Sequence, residues 1–246
     1  RPPVTDSSER RTGLARVLSK RGLCSRSQAA LWIAEGRVTV DGRVIRDPEF
    51  AISGAMQRIV VAGLESGEGE RLYLMLNKPR GLVTTASDEQ GRDTVYRCFD
   101  GAGIPWIAPV GRLDKASEGL LLFSNDPEWA AHITHPDTGP HKTYHVQVDR
   151  IPDATMLEGL TAGIVLDGER LRAASVALLR HGEKNAWLEI VLEEGRNRQI
   201  RRLLAAFDIG VLRLIRIAIG DLQLGALPKG QWRVLSQEEA VALTKM

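Results

Sequence analysis

Two cysteines in 246 residues, Cys24 and Cys98, are too few for a disulfide scaffold or a cysteine zinc site. A reducing, cytoplasmic setting is therefore expected. No apolar run approaches the roughly 18 residues that a membrane helix needs, so no membrane association is expected. The opening "RPPVTDSSERR" has no apolar core, which argues against a secretory leader. It also lacks an initiator Met, so a preceding segment is expected. Neither common glycine-rich phosphate loop is present. The histidines of "HITH" (132–135) and His141 have no Asp, Glu or Cys partner at ligand spacing, so no metal is expected.

What is present is ordinary in bulk and uneven in detail. Apolar content of 43% and charged content of 26% fit one large globular domain or two unequal ones. The net charge of +2 hides an asymmetry: residues 1–62 carry 11 Lys/Arg against 6 Asp/Glu, and the remainder 22 against 25. A basic end on a near-neutral body suggests a polyanion-binding module, although a solvated charged surface reads the same way.

Residues 1–11 read as a disordered lead-in. Helices are predicted over 12–22 and 25–36, the second opening on a Ser25/Gln28 capping box and closing on Gly36. "RVTVDGRVI" (37–45) alternates around Asp41-Gly42, a hairpin signal. These elements form a small basic module over 12–62, and "GLESGEGER" (63–71) reads as a flexible linker. Beyond it, strands are predicted over 72–77, 142–148, 186–192 and 211–217, and helices over 153–163, 197–207 and 236–244. The strands come in groups, which predicts an α+β domain over 72–246 with a mixed, largely antiparallel sheet.

Two stretches could carry chemistry. In "APVGRLDKASEGLLLFSND" (108–126), one carboxylate, Asp114, sits between Arg112 and Lys115 and ahead of an apolar strand, Leu120–Phe123. It is either a structural partner of Arg112 or a nucleophile. Glu118 is equally consistent with exposure, so no second acid stands at acid/base spacing. That disfavours a two-carboxylate hydrolase and a two-metal nuclease. In "EGRNRQIRRLL" (194–204), a helix would place Ile200, Leu203, Leu204 and Phe207 on one face, Arg198 and Arg202 opposite, and Arg201 at the boundary. Six arginines against one acid over 195–217 point to phosphate contact, because the guanidinium fork binds phosphate bidentately. Tyr144 shares a strand face with Val146 and Val148, which on pattern alone suits core packing.

"GRLD" before a "GLLL" strand, "KTYHVQV", "EGRNRQIRRLL", "LNKPRGLVTT" (76–85) and "LPKGQWRVLS" (227–236) together resemble the RsuA/RluB/RluE/RluF family of ribosomal RNA pseudouridine synthases. Residues 12–62 resemble the small α-L RNA-binding module that often precedes that catalytic domain. The resemblance implies a pseudouridine synthase fold and the isomerisation of uridine: uracil leaves C1′, turns, and rejoins through C5. It implies catalytic roles for Asp114, Tyr144 and Arg201, with Arg201 as the cation that keeps the carboxylate ionised. Arg112 would help hold the target nucleotide out of its stack. Arg196, Arg198, Leu204 and Lys78 complete the expected substrate-binding set. Relatives often have His-Gln-Leu-Arg where this chain has Arg198-Gln199-Ile200-Arg201, so the arginine at 201 is kept and Arg198 is a departure. Arg16, Lys20, Arg21, Arg26, Arg37 and Arg43 are the expected RNA-contacting residues of the module.

No electron or group enters or leaves, so no cofactor is implied. The partner is ribosomal RNA or an assembling ribosomal subunit, and the chain is expected to be a monomer. The motifs most resemble the RluB/RluE branch, which acts on large-subunit (23S) RNA. The alternatives are a small-subunit (16S) synthase or a non-catalytic RNA-binding protein on the same fold. Joint retention of Asp114, Tyr144 and Arg201 argues against the last.

Overall fold

The computed structural model describes residues 11–21, 23–53, 57–62, 70–85, 93–196 and 198–245. The lead-in (all but Arg11) and residues 63–69 of the expected linker lie outside the described residues. The chain forms two compact units. One runs up to Leu72 and takes in residues 104–108 and 125–127; the other holds the rest. Among the described residues, no helix is long and apolar enough to cross a membrane.

In the first unit, β1 (Thr12–Gly13) leads into α1 (Leu14–Lys20) and α2 (Arg26–Ala34), followed by β2 (Val38–Val40), β3 (Arg43–Val44), β4 (Ala51–Ile52) and β5 (Ile59–Val61). The Ser25 side chain accepts from the Gln28 amide at 3.0 Å and starts α2. Asp41 and Gly42 both adopt positive φ, 49° and 80°, and close β2 onto β3 with Val40 opposite Arg43. Aspartate and glycine are suited to that turn because both tolerate the left-handed region. Strand β5 pairs with the other side of β2, an element the sequence reading lacked. Leu14, Leu18, Cys24, Ala29, Ile33, Val38, Val40, Ile52, Ile59 and Val61 form one buried cluster. The expected linker ends firmly: Arg71 donates to the carbonyls of Asn125 (2.7 Å) and Lys20 (2.9 Å).

The second unit is built on a nine-stranded sheet. Its elements are β6 (Tyr73–Lys78), a 3₁₀ turn (Val95–Phe99), β7 (Ala108–Val110), β8 (Glu118–Ser124), α3 (Pro127–Thr134), β9 (Lys142–Val148), α4 (Ala154–Ala162), β10 (Ile164–Leu166), β11 (Glu169–Leu171), β12 (Ser175–His181), β13 (Ala186–Leu192), α5 (Gln199–Ala206), β14 (Val211–Ile219), β15 (Leu222–Gln223), β16 (Trp232–Val234) and α6 (Gln237–Ala242). The main order is β12-β13-β9-β14-β8-β6-β16, antiparallel except between β14 and β8. The mixed, largely antiparallel α+β architecture expected from the sequence is the one found. Every residue of β8 is buried, as its apolar run requires. Beside it, Met75, Leu120, Leu122, Trp129, Ile133, Ile219, Leu235 and Leu243 form a core, with Trp129 Nε1 donating to the Ala240 carbonyl at 2.8 Å. Edge strand β12 was not read from the sequence. It is exposed along almost its whole length and carries a bulge between Leu178 and Arg180. The predicted helix over 197–207 starts later, at Gln199, because Arg198 takes a left-handed conformation (φ 51°).

The parallel contact between β14 and β8 begins at Glu118, one residue beyond the turn Asp114–Ser117. It needs a glycine. Gly119 has φ +105°, and a Cβ there would overlap the carbonyl oxygen of Arg216 and lie 2.8 Å from its amide nitrogen. Both atoms are backbone and cannot swing aside. Gly119→Ala is therefore expected to destabilise the protein by at least about 2 kcal/mol, above the usual cost of a point substitution. The shift of the urea midpoint measures this, and an unchanged midpoint would show that β14 can move away.

Candidate active site

A cavity of about 450 Å³ opens in the second unit, within the size range of about 300–1,000 Å³ usual for ligand pockets. Its wall includes Arg112, Asp114 and Ser117 from the segment before β8, Lys142 and Tyr144 from β9, Arg216 from β14, and Arg196, Arg198, Ile200 and Arg201 around the start of α5. The two stretches singled out in the sequence meet here, and Asp114 and Arg198 within them are 84 residues apart.

Asp114 contacts α5 rather than its neighbour Arg112. Its Oδ2 lies 3.3 Å from an Arg198 terminal nitrogen, which donates to it, and 3.4 Å from Arg201 Nε. The Arg201 contact is an ion pair without the alignment of a hydrogen bond. A terminal nitrogen of Arg201 donates instead to Ser117 Oγ at 3.1 Å. Burial lowers the Arg201 pKa from its ordinary value, and the Asp114 charge opposes that shift. Arg198 reaches Asp114 because the left-handed residue turns the chain just ahead of α5. On a continued helix it would face away. The Asp114 side chain is 31% exposed, so this carboxylate stays open to the cavity while both cations hold it. Tyr144 is buried, 7% exposed, and lines the cavity rather than facing a closed core.

Two expected substrate-binding residues are not in the cavity wall. Leu204 is fully buried with Leu203 on the inner face of α5. Lys78 is also fully buried, and its ammonium donates to the carbonyls of Ser117 (2.7 Å), Pro79 (3.1 Å) and Lys115 (3.3 Å). It fastens the 114–117 turn to β6 from beneath. Glu118, left open in the sequence, is 2% exposed and takes two hydrogen bonds from Arg213 at 2.9 and 3.1 Å and an ion pair from Lys229 at 2.6 Å. Burial pushes its carboxyl up, but those bonds outweigh burial and hold it below the ordinary range. It therefore anchors β8 and does not reach the cavity. Arg202 is bound to Glu169 at 2.9 Å. Ser117 and Lys142 were missed, and Arg216 was read only as one of the six arginines suited to phosphate contact. Lys142 was legible, because it alternates with Tyr144 on the same face of β9. Among the described residues, no three His, Cys, Asp or Glu side chains gather as a metal site.

The segment that carries most of this cavity matches a known family: residues 72–206 match the RNA pseudouridylate synthase model, and residues 12–59 match the S4 domain. The chain belongs to the RNA pseudouridylate synthase family. It is 36% identical over 233 residues to ribosomal large subunit pseudouridine synthase B of Bacillus subtilis, covering 94% of each chain. It is 37% identical over 232 residues to an RNA pseudouridine synthase of Aquifex aeolicus, covering 94% of this chain and 92% of that one. A crystal structure of a pseudouridylate synthase superposes with a TM-score of 0.65 at 29% identity, covering 94% and 99%. The protein is thus an isomerase that makes pseudouridine in RNA.

Of the expected module contacts, Arg16, Lys20, Arg26 and Arg43 are exposed, and Arg21 and Arg37 are half-buried. Arg26 is within 3.7 Å of Glu49 and Arg37 within 4.0 Å of Glu35; Arg37 also sits over the Trp32 ring. Arg16, Lys20, Arg21 and Arg43 have no acidic partner within 4 Å among the described residues, so their charge is the more available.

Burial pushes the Lys78 ammonium down to about 8, against the pull of the Asp114, Glu118 and Cys98 charges. The unfolded chain holds that proton to about pH 10.4. Between those values the unfolded state binds more protons, so this group's contribution to stability rises with pH. Lys78→Met should be less stable than the wild type throughout, since three carbonyls lose their donor. The gap should widen from about pH 8 to about pH 10.5, which urea unfolding at the two ends will show. A gap that narrows would mean that folding raises the Lys78 pKa.

Proposed function

We propose that this enzyme isomerises uridine in large-subunit (23S) ribosomal RNA, with Asp114 as the catalytic carboxylate. One observation carries the reading. In a chain 36% identical to a large-subunit synthase, a carboxylate open to a cavity is held between two arginines beside an inward-facing tyrosine.

The chemistry follows from those positions. The target base must leave its stack to enter the cavity, at a cost of a few kcal/mol that is smallest in a loop. Specific RNA readers favour such loops, because the A-form major groove is closed to side chains. The exposed Arg112 and Arg198 stand where an RNA backbone would pass. Tyr144 offers its ring to the extruded uracil. As the bond from C1′ to N1 lengthens, C1′ becomes electron-poor, and the Asp114 carboxylate stabilises it. Arg201 and Arg198 keep that carboxylate charged and aimed. Residues 12–62 act as a docking module, 63–71 as the link, and 72–246 as the catalytic domain. Ribosomal RNA as substrate places the work in the cytoplasm.

Asp114→Asn keeps the shape and removes the charge. It is expected to abolish pseudouridine formation while RNA affinity stays within a few-fold of wild type. Measurable turnover, once deamidation back to Asp is excluded, would sink the assignment. Pseudouridine mapping in cells that lack the protein tests the substrate: a missing 23S position supports the reading, and a missing 16S position moves the enzyme to the other subunit.

The module can be tested by salt. Each neutralised phosphate adds about 0.7–0.9 to the slope of log K against log salt. If three to five phosphates are contacted by residues 12–62, deleting the module should flatten the slope by about 2–4. The fragment 68–246 should still turn over at saturating RNA. An unchanged slope would mean that the basic surface is merely solvated, and a folded but inactive fragment would mean that the module helps to build the active site.

A further inference from the structure

Most charged groups in the cavity wall have opposite partners. Asp114 has Arg198 and Arg201; Arg196 has Glu194 at 3.2 Å and Glu169 at 3.4 Å; Glu193 has Arg172 at 3.5 Å. Two sheltered cations do not. Arg216 is 4% exposed and donates Nε to the Leu120 carbonyl at 2.8 Å. Lys142 is half-buried. Among the described residues, neither has a carboxylate within 4 Å. Burial and the neighbouring Arg216 charge push the Lys142 ammonium down to about 8. Two like charges kept close together, away from water and without a counterion, are costly unless something negative arrives.

Their placement says where that negative charge would be. Arg216 stands opposite Tyr144 across the β14–β9 ladder, on the same sheet face and roughly 5 Å away strand to strand. Lys142 lies two residues along β9, again on that face and about 7 Å away. A uracil lying on the Tyr144 ring is therefore within reach of both cations. The exposed arginines at the rim suit phosphates; these two lie further in.

We infer that Lys142 and Arg216 are further catalytic residues, which contact the uracil and stabilise the negative charge it acquires on leaving C1′. The inference rests on reading the Asp114 cavity as the place of isomerisation. When the bond from C1′ to N1 breaks, its electron pair stays with the base. Uracil becomes a monoanion with charge spread over N1, O2 and O4, and C1′ is left electron-deficient beside Asp114. After the base turns, C5 supplies the electron pair for the new bond to C1′. The C5 proton is lost and N1 regains one, so atoms and charge balance. Fixed cations aimed at charge that develops only during reaction raise the rate without tightening ground-state binding.

The test uses full-length enzyme in excess over RNA, with single-turnover rates and RNA affinities measured separately. The substrate is total RNA from cells lacking the protein, which contains the target whichever RNA carries it. A second batch comes from such cells grown with 5-fluorouracil. Fluorine at C5 withdraws electrons and makes the departing base a more stable anion, so help from cations matters less. Formation of the C5-linked nucleoside is read by mass spectrometry; 5-fluorouridine has no C5 proton to lose, so its C5-linked product keeps the fluorine and is read with one water added across the C6=N1 bond. Lys142→Met and Arg216→Met should slow the uridine reaction about 100-fold at unchanged RNA affinity. The 5-fluorouridine reaction should slow by about 10-fold or less, and Lys142→Arg should keep most of the rate. Equal slowing on both RNAs would overturn the inference. So would weakened RNA binding with an unaffected saturated rate, the mark of a phosphate contact. If Arg216→Met does not fold, the ratio at Lys142 decides alone. Asp114→Asn runs in parallel: its activity would refute the site reading, whereas its inactivity beside unchanged Lys142 and Arg216 variants would refute only this inference.

Discussion

Beneath the cavity, the Lys78 ammonium is bound to three backbone carbonyls, and two of them belong to the turn that follows Asp114. The contact fixes a loop to a strand without using a side chain of the loop. It leaves Asp114 free to face the cavity, where a conventional salt bridge would have consumed it. The same turn is bound a second time, from above, when Arg201 donates to Ser117 Oγ. The carboxylate is therefore positioned by groups that bind its surroundings as much as by those that bind its oxygens.

Charge is divided just as sharply on β14. Arg213 and Arg216 are three residues apart and lie on opposite faces of the sheet. Arg213 is satisfied by the buried Glu118 and lies over the Trp187 ring. Among the described residues, Arg216 has only a carbonyl as its hydrogen-bond partner. One arginine strengthens the fold, and the other carries positive charge into the cavity. Glu118 makes this division possible, since without it Arg213 and Lys229 would both lack a carboxylate partner among the described residues.

Strands β9 and β13 were legible from alternation alone, with bounds at Lys142–Val148 and Ala186–Leu192. The largely antiparallel sheet followed from how the strands cluster in sequence. Strand β12 was not legible, because a strand exposed on both faces has no hydrophobic alternation to detect. The hairpin of β10 and β11 was missed although Asp167-Gly168 repeats the turn signal of Asp41-Gly42. In the site, motif resemblance singled out Asp114, Tyr144 and Arg201, and the cavity brings them together. It also included Lys78 and Leu204, whose chemistry suits a binding site but whose side chains are fully buried and do not line the cavity. Periodicity assigned Arg198 to the far face of a helix. A single left-handed residue overrides that, and backbone strain of this kind leaves no trace in residue spacing.

A sheet of this width ends in two edges, and exposed edges invite other strands to add to them. At one end β16 has three residues, too short to template much. At the other, β12 is seven residues long, but its bulge between Leu178 and Arg180 breaks the regular spacing of donors and acceptors that an incoming strand must match. A device that looks like an imperfection in pairing thus guards a protein meant to handle RNA against fibre-like association with copies of itself.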